Sequence, residues 1–536
     1  MRRLFVLIST FALTATFCLS YFLNPNWYVV FGIVVVLTIL GYYDMVQTKH
    51  SIMRIYPILG RLRFVMEDLR PKIYQYFIES DIDGRPINRI DRSTVYQRSK
   101  KENDTMPFGT QLDVYSEGYE WLCHSMAPRD FHSLEQDPRV VIGNKDCLKP
   151  YSCSIYNISA MSYGSLSSNA VEAMNAGAKI GGFAHNTGEG GLSPFHLKHG
   201  GDIIWQIGTG YFGCRKDDGN FDENLFSEKS RLDNVKMIEL KISQGAKPGH
   251  GGILPAAKNT PEIAAIRHIQ PYTLVASPPF HKAFDTPKGL ITFIQKLRDL
   301  SGGKPVGFKL CIGHKSEFIS ICKAMIELDI YPDFITVDGA EGGTGAAPQE
   351  FSNYVGAPLL DGLDFVQNIL TGLNIRKHIR LLASGKITSG FHIIRAMALG
   401  ADACYSARAM MMAVGCIQAL QCNTNKCPVG VATQDPKLSV GLVVEDKKQR
   451  VANFHKYTVE SVVELMGASG LDHVKNITRS HIYRRISFQS MLTYEEIFPS
   501  YETGSFLKEI PRRYELDFKY ANADKWGFSN IGSWSN

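Results

Sequence analysis

Val306-Gly307-Phe308-Lys309-Leu310, a β-prone apolar run, leads through a helical stretch to a second such run, Phe334-Ile335-Thr336-Val337. That run opens in turn into the glycine-rich Gly339-Ala340-Glu341-Gly342-Gly343-Thr344-Gly345. The strand–helix–strand–loop order decides the fold, because successive strands joined by a helix lie parallel in one sheet. Working outward, the pattern recurs at Ile158-Ser159-Ala160-Met161, Phe183-Ala184-His185, Ile238-Glu239-Leu240-Lys241-Ile242, Leu274-Val275-Ala276, Leu381-Leu382-Ala383 and Ala403-Cys404-Tyr405-Ser406. Eight runs alternating with helical or loop segments predict an α/β fold closed as a (β/α)8 TIM barrel. A doubly wound sheet is the alternative this pattern leaves open. A ninth apolar run, Ile203-Ile204-Trp205-Gln206-Ile207, is expected as an excursion between the second and third strands.

In such a barrel the loops after the strands build the active site. Here they read Ser162-Tyr163-Gly164-Ser165, Asn186-Thr187-Gly188-Glu189-Gly190-Gly191, Ser243 through Gly252, Gly339 through Gly345, Ser384-Gly385-Lys386 and Ala407-Arg408. Glycines let backbone N–H groups approach a phosphate or a flat ring, so these loops point to a phosphorylated cofactor. The last two follow the seventh and eighth strands, where barrels commonly seat a cofactor phosphate. Gly208-Thr209-Gly210-Tyr211-Phe212-Gly213 matches the dinucleotide fingerprint, but Cys214-Arg215-Lys216-Asp217-Asp218-Gly219-Asn220 after it is a poor helix start. A nicotinamide site is not expected there.

The chain begins differently. Leu4 to Leu23 and Trp27 to Tyr43 carry no charge, and each is about long enough to cross a bilayer as a helix. Asn24-Pro25-Asn26 between them is a turn signal. Arg2 and Arg3 precede the first run, and Lys49, Arg54, Arg61 and Arg63 follow the second. Basic flanks on both sides predict a two-pass transmembrane hairpin in the plasma (inner) membrane, with the rest of the chain cytoplasmic. Spans without ionisable interiors imply anchoring rather than transport. The expected organisation is a hairpin over 1–48, a juxtamembrane extension over 49–150, the barrel over 151–440 and a helical C-terminal extension over 441–536.

With 44% hydrophobic and 21% charged residues the chain reads as globular. A surplus of 58 basic over 52 acidic residues is too small and too dispersed to indicate nucleic acid. Eight of the 11 cysteines are scattered singly, which excludes a disulfide framework of the secreted kind. The other three form Cys416-x5-Cys422-x4-Cys427-Pro428. Close thiolates in an intracellular enzyme usually bind metal. Zinc prefers a fourth ligand and a CxxC knuckle, so this spacing favours an iron–sulfur cluster, with zinc and structural thiols left open.

Ser159 through Ser167, Asn186 through Gly191, Lys241 through Gly252, Gly342 through Ala346 and Cys416 through Gln434 together resemble the FMN-binding synthase domain of glutamate synthase large subunits. The resemblance covers about residues 150 to 440, and the remainder is similar to the short, membrane-anchored glutamate synthase-like proteins. In place of an N-terminal amidotransferase domain the chain opens on Met1-Arg2-Arg3 and the hairpin. The resemblance implies FMN, a 3Fe–4S cluster on Cys416, Cys422 and Cys427, and reductive amination of 2-oxoglutarate with ammonia through 2-iminoglutarate. It implies an external electron donor, either ferredoxin or a reductase subunit. Carried over residue by residue, it makes Lys247, Glu189, Lys241 and Gln244 catalytic. Arg267 and Lys309 become substrate-binding residues. Met161, Ser162, Tyr163, Gly164, Gln244, Lys247, Gly342, Gly343, Thr344, Gly345, Ser384, Gly385, Ala407 and Arg408 are expected around the cofactor. The sequence departs from the family at Ala256-Ala257, where a hydrogen-bonding side chain for a substrate carboxylate is missing. An N-methylglutamate synthase-like transferase and a flavin electron-transfer protein without glutamate chemistry are the competing functions.

Overall fold

Buried runs, most of them apolar, form eight parallel strands that close on themselves. They are β1 (Tyr156–Ile158), β2 (His185–Asn186), β3 (Ile203–Ile207), β4 (Val235–Lys241), β5 (Val306–Leu310), β6 (Phe334–Asp338), β7 (Arg380–Ser384) and β8 (Ala403–Ser406). The closure is made by β8 against β1, where Tyr405 lies opposite Asn157. The structure, a computed structural model, describes residues 1–102 and 105–526.

The expected number of barrel strands is found, but one member differs. Ile203–Ile207 is not an excursion; it is β3, hydrogen-bonded to β2 on one side and β4 on the other. The run Leu274-Val275-Ala276 lies outside the barrel, where Val275–Ala276 pairs antiparallel with Ile253–Leu254. The physical difference is burial. All five residues of β3 are buried, whereas Leu274 is 66% exposed.

The helices that cover the barrel start where side chains satisfy free backbone donors. Ser167 caps Ser168–Gly181 by accepting from Ala170 N at 3.2 Å. The long helix Val444–Ala468 lies against Ser168–Gly181, and a Cβ on Gly177 would approach the Val451 side chain to 2.6 Å. Only glycine permits so close a crossing there. At the N-terminal end of the barrel Arg298 Nη2 pairs with Asp333 Oδ2 at 3.1 Å, both fully buried, and the same carboxylate oxygen accepts from Val306 N at 2.8 Å. Among its described residues, the segment expected to be a helical extension carries two short strands besides its helices. Ile482–Arg485 pairs with Met491–Thr493 and with Glu120–Leu122 from the other end of the chain. Glu120 joins this sheet to the helix Gly390–Ala398, accepting from Arg395 at 2.7 Å, Arg484 at 2.8 Å and Tyr494 at 2.6 Å.

The chain divides into two compact units, Met1–Gly84 and Arg85–Asn536. In the first, helices Arg2–Phe22 and Trp27–Val46 turn on Asn24, whose Oδ1 accepts from Asn26 N at 2.9 Å. Phe5 of one helix fills the space that a side chain on Gly41 of the other would need. Both are long and apolar enough to cross a membrane by length and composition. At the end of the second, Asp44 is wholly buried and accepts from Arg61 Nη2 at 2.6 Å and Arg61 Nε at 2.9 Å, which fixes the start of the helix Leu59–Ile73.

Candidate active site

Side chains two apart on a strand share a face, so Glu239 and Lys241 of β4 point the same way. Glu239 is fully buried and accepts at 2.7 Å from Asn186 of β2, Gln206 of β3 and Thr336 of β6. Three donors from three strands satisfy an interior charge that would otherwise be costly. Toward the mouth, Lys241 Nζ donates to Glu189 Oε1 at 2.7 Å. Lys309 of β5 stands beside Lys241 in register and meets Asp338 Oδ1 of β6 at 3.3 Å. The other Asp338 oxygen accepts from Gly245 N at 2.7 Å, which ties the β4 loop across the barrel.

Glu189 reaches this position through glycines. A Cβ on Gly208 would lie 2.7 Å from the Glu189 Cβ, and one on Gly252 would overlap the Glu189 carboxylate. The apparent dinucleotide fingerprint thus begins with a glycine that gives Glu189 room. Burial alone would raise the Glu189 carboxyl, but Lys241, Lys247 and Arg267 outweigh it and hold it below the usual carboxylate range. Burial pushes Lys247 down to about 8, with Glu189 opposing that shift and Lys241 adding to it. Lys247 is 2% exposed and donates to Ala346 O at 3.0 Å. Burial likewise pushes Arg267 down to about 10 against the pull of Glu189.

Arg267 sits at the C-terminal end of the helix Pro261–Arg267, beneath the loop after β1. Its Nη2 donates to Tyr163 O at 3.0 Å and to Ser162 Oγ at 3.4 Å, and its guanidinium carbon lies 5.1 Å from the Phe212 ring centre. Gly164 and Gly190 leave space for it; a Cβ on either would come within 3.0 and 2.8 Å of Nη2. Among the described residues, Arg267 Nε and Gln244 Nε2 are buried donors without a partner.

A cleft opens at the C-terminal end of the strands. Its walls include Lys241, Gln244, Lys309, Gly342, Gly343, Ser384, Gly385, Ala407 and Arg408, joined by Ser159, Ala160, Lys386 and Thr388. Met161, Ser162, Tyr163 and Gly164 belong instead to the Arg267 side. Met161 is buried, and Tyr163 donates from its hydroxyl to Glu262 at 2.6 Å. Thr344 and Gly345 are exposed at the rim. Arg408 Nη2 donates to Glu341 O at 2.6 Å. Burial lowers both Lys386, where Arg408 adds to the effect, and Arg408, where Asp338 and Glu341 oppose it. Among the described residues neither cation has a carboxylate within ion-pair distance. Asp338 lies outside the runs expected to form the site, and Lys386 and Ser159 belong to such runs without an expected role of their own, although each stands at or just past a strand end.

Cys416, Cys422 and Cys427 line one apolar cavity of about 80 Å³ with Met411, Met412, Ile417 and Ala432. Among the described residues no three His, Cys, Asp or Glu converge tightly enough to hold a single metal ion. Burial raises the Cys416 thiol to about 11 and raises Cys422 as well. The loop is fixed from outside. Tyr96 donates to Cys416 O at 2.7 Å, and the Gln418 amide exchanges hydrogen bonds with the Ile87 backbone at 3.2 and 3.1 Å. A Cβ on Gly345 would lie 3.3 Å from the Cys422 Cβ, so the glycine loop after β6 abuts the cysteine loop.

Residues 91–472 match the conserved region in glutamate synthase. The glutamate synthase large subunit-like protein YerD of Bacillus subtilis is 38% identical over 493 residues, which cover 85% of this chain and 93% of that protein. An archaeal glutamate synthase (NADPH) of Methanocaldococcus jannaschii is 36% identical over 321 residues, so the chain spans 60% of that relative's length. A solved mandelate oxidase with (S)-4-hydroxymandelic acid is 14% identical at a TM-score of 0.41, covering 81% of this chain and 98% of that one. A likeness that weak has no bearing on function.

Proposed function

The chain belongs to the glutamate synthase family, and from that premise we propose that it converts 2-oxoglutarate and ammonia to glutamate through 2-iminoglutarate. The observation that carries this reading is the gathering of Lys241, Lys247 and Arg267 around one carboxylate, Glu189. Three buried cations against a single anion leave surplus positive charge, which suits an oxo-diacid with two carboxylates.

The cleft residues fit FMN. Lys386 and Arg408, without carboxylate partners among the described residues, stand just past the ends of β7 and β8 where a phosphate would be held, and the backbone of Gly342, Gly343 and Gly385 allows close approach. Gln244 Nε2, a buried donor lacking a partner, suits the polar edge of a ring. FMN when bound supplies the hydride. The protein's part is binding and proton handling. Lys247 and Arg267 provide the charge that draws the substrate carboxylates. Glu189, held ionised, takes a proton from ammonium, and the freed ammonia attacks the C2 carbonyl of 2-oxoglutarate. Lys241, 2.7 Å from Glu189, can return a proton to the hydroxyl that leaves as water. Nitrogen then replaces oxygen at C2, and the imine carbon stands ready for reduction.

Cys416, Cys422 and Cys427, around one apolar cavity, would hold a 3Fe–4S cluster, which would supply one-electron transfer there. An external donor, ferredoxin or a reductase subunit, would supply its electrons. The helices Arg2–Phe22 and Trp27–Val46 anchor the protein in the plasma (inner) membrane as a two-pass hairpin with the barrel in the cytoplasm, which is the side their basic flanks favour. The test is to reduce the purified, FMN-loaded protein with dithionite and add 2-oxoglutarate with ammonium. Flavin reoxidation with stoichiometric glutamate is expected, and reoxidation without glutamate, or none at all, overturns the reading.

A further inference from the structure

Lys258 takes no part in the site described so far, yet it is among the largest fully buried side chains. It ends the short turn Ala256–Lys258, directly after the Ala256-Ala257 pair. Its ammonium donates to Ser165 O at 2.9 Å and to Ala432 O at 2.8 Å. Ser165 belongs to the loop after β1, and Ala432 lines the cavity that holds Cys416, Cys422 and Cys427. Alongside it, Asn425 of the cysteine loop donates to Ala257 O at 3.3 Å. Among the described residues no carboxylate lies within ion-pair distance of Lys258. Burial pushes its ammonium down to about 8, and the neighbouring Cys422 and Cys427 oppose that shift.

A buried ammonium that two neutral carbonyls fix in place carries net positive charge in a region of low dielectric. Its field acts more strongly there than it would in water. An iron–sulfur cluster gains one negative charge when it accepts an electron, and its potential responds to nearby charge and hydrogen bonding. We propose that Lys258 is a positioning residue that raises the reduction potential of the cluster and holds the cysteine loop against the loop after β1. The proposal rests on the cluster reading above. The step concerned is a one-electron reduction in which an external reductant loses the electron, the cluster gains it, and no bond to Lys258 forms or breaks.

The full chain is reconstituted with iron and sulfide, and its cluster is titrated with dithionite while the EPR signal is followed. Two substitutions separate charge from packing. Lys258→Gln keeps N–H donors for the two carbonyls but removes the charge, and Lys258→Arg keeps both. Lys258→Gln is expected to weaken the reduction equilibrium about tenfold, a downward shift of 59 mV for one electron. Lys258→Arg is expected to restore most of it. A Lys258→Gln protein whose cluster titrates with the unaltered chain overturns the proposal. So does a Lys258→Arg protein shifted as far as the neutral one. If Lys258→Gln takes up no cluster while Lys258→Arg does, the residue serves assembly alone and the proposal fails. If the unaltered chain shows no cluster signal, the cluster reading falls and this proposal with it.

Discussion

Lys241 Nζ lies 2.7 Å from Glu189 Oε1, and the two side chains are only 8% and 18% exposed. They come from loops and strands 52 residues apart. A pair so placed is sensitive to loss of either member, because the remaining charge stays buried.

Replacing Glu189 by Gln keeps the volume and removes the base. Glutamate formation from ammonium is expected to fall on the order of 10²-fold or more. Flavin content should stay near that of the unaltered protein, while the thermal midpoint should fall because Lys241 keeps its charge without a partner. Steady-state rates with ammonium, paired with a melt, check both parts, and an activity within twofold of the original would remove Glu189 from the proton-handling role.

Lys247 gives a pH signature. Burial pushes it down to about 8 in the folded chain, against 10.5 as its ordinary value. Between those two limits the unfolded chain binds a proton that the folded chain does not, so this group makes stability rise with pH, by at most ~1.4 kcal/mol per pH unit. The unfolding free energy of the unaltered protein minus that of Lys247→Met should therefore rise from pH 8 to pH 10. Denaturation at three pH values in that window checks it, and a constant difference contradicts it.

Lys386 and Arg408 are expected to hold the cofactor phosphate. Loss of one charge-assisted hydrogen bond costs ~1.5–3 kcal/mol, which is roughly 10- to 100-fold in affinity. Arg408→Met and Lys386→Met should each release FMN at correspondingly lower dilution, as read by the fluorescence of freed flavin. Retention equal to the original in both variants argues that the phosphate lies elsewhere.

Cys422→Ser removes one thiolate from the shared cavity. The visible absorbance and EPR signal of the reconstituted cluster should disappear while FMN binding persists. Cys147→Ser, outside that cavity, should leave both signals intact. A spectrum unchanged in Cys422→Ser rejects the cluster assignment.

Much of the barrel was legible because its signal is local. Val306–Leu310, Phe334–Asp338, Arg380–Ser384 and Ala403–Ser406 are short apolar runs bounded by turn residues, and the structure places strands on all four. The exchange of Leu274-Val275-Ala276 for Ile203–Ile207 has a plain cause. Both runs are apolar, but Ile203–Ile207 is buried along its whole length between two neighbouring strands, whereas Leu274 is largely exposed. Lys386 is legible as part of the loop Ser384-Gly385-Lys386, but its freedom from a carboxylate partner among the described residues is a property of the folded chain. Lys258 follows two alanines in a loop. Nothing in the adjoining sequence signals that the carbonyls of Ser165 and Ala432 will meet it.

What the sequence determined by itself is what lies within a few residues' reach: the alternation that makes a parallel barrel, the two apolar helices and the turn between them, and the spacing of Cys416, Cys422 and Cys427. Hydrophobic period and turn chemistry act over one element at a time, so they can be read without the rest of the chain. The tertiary structure alone decided which distant groups share an environment. Glu189, Lys241, Lys247 and Arg267 become one electrostatic unit only when the barrel closes and glycines at 164, 190, 208 and 252 leave room for their side chains. Charges interact through space rather than along the chain, and burial fixes how strongly.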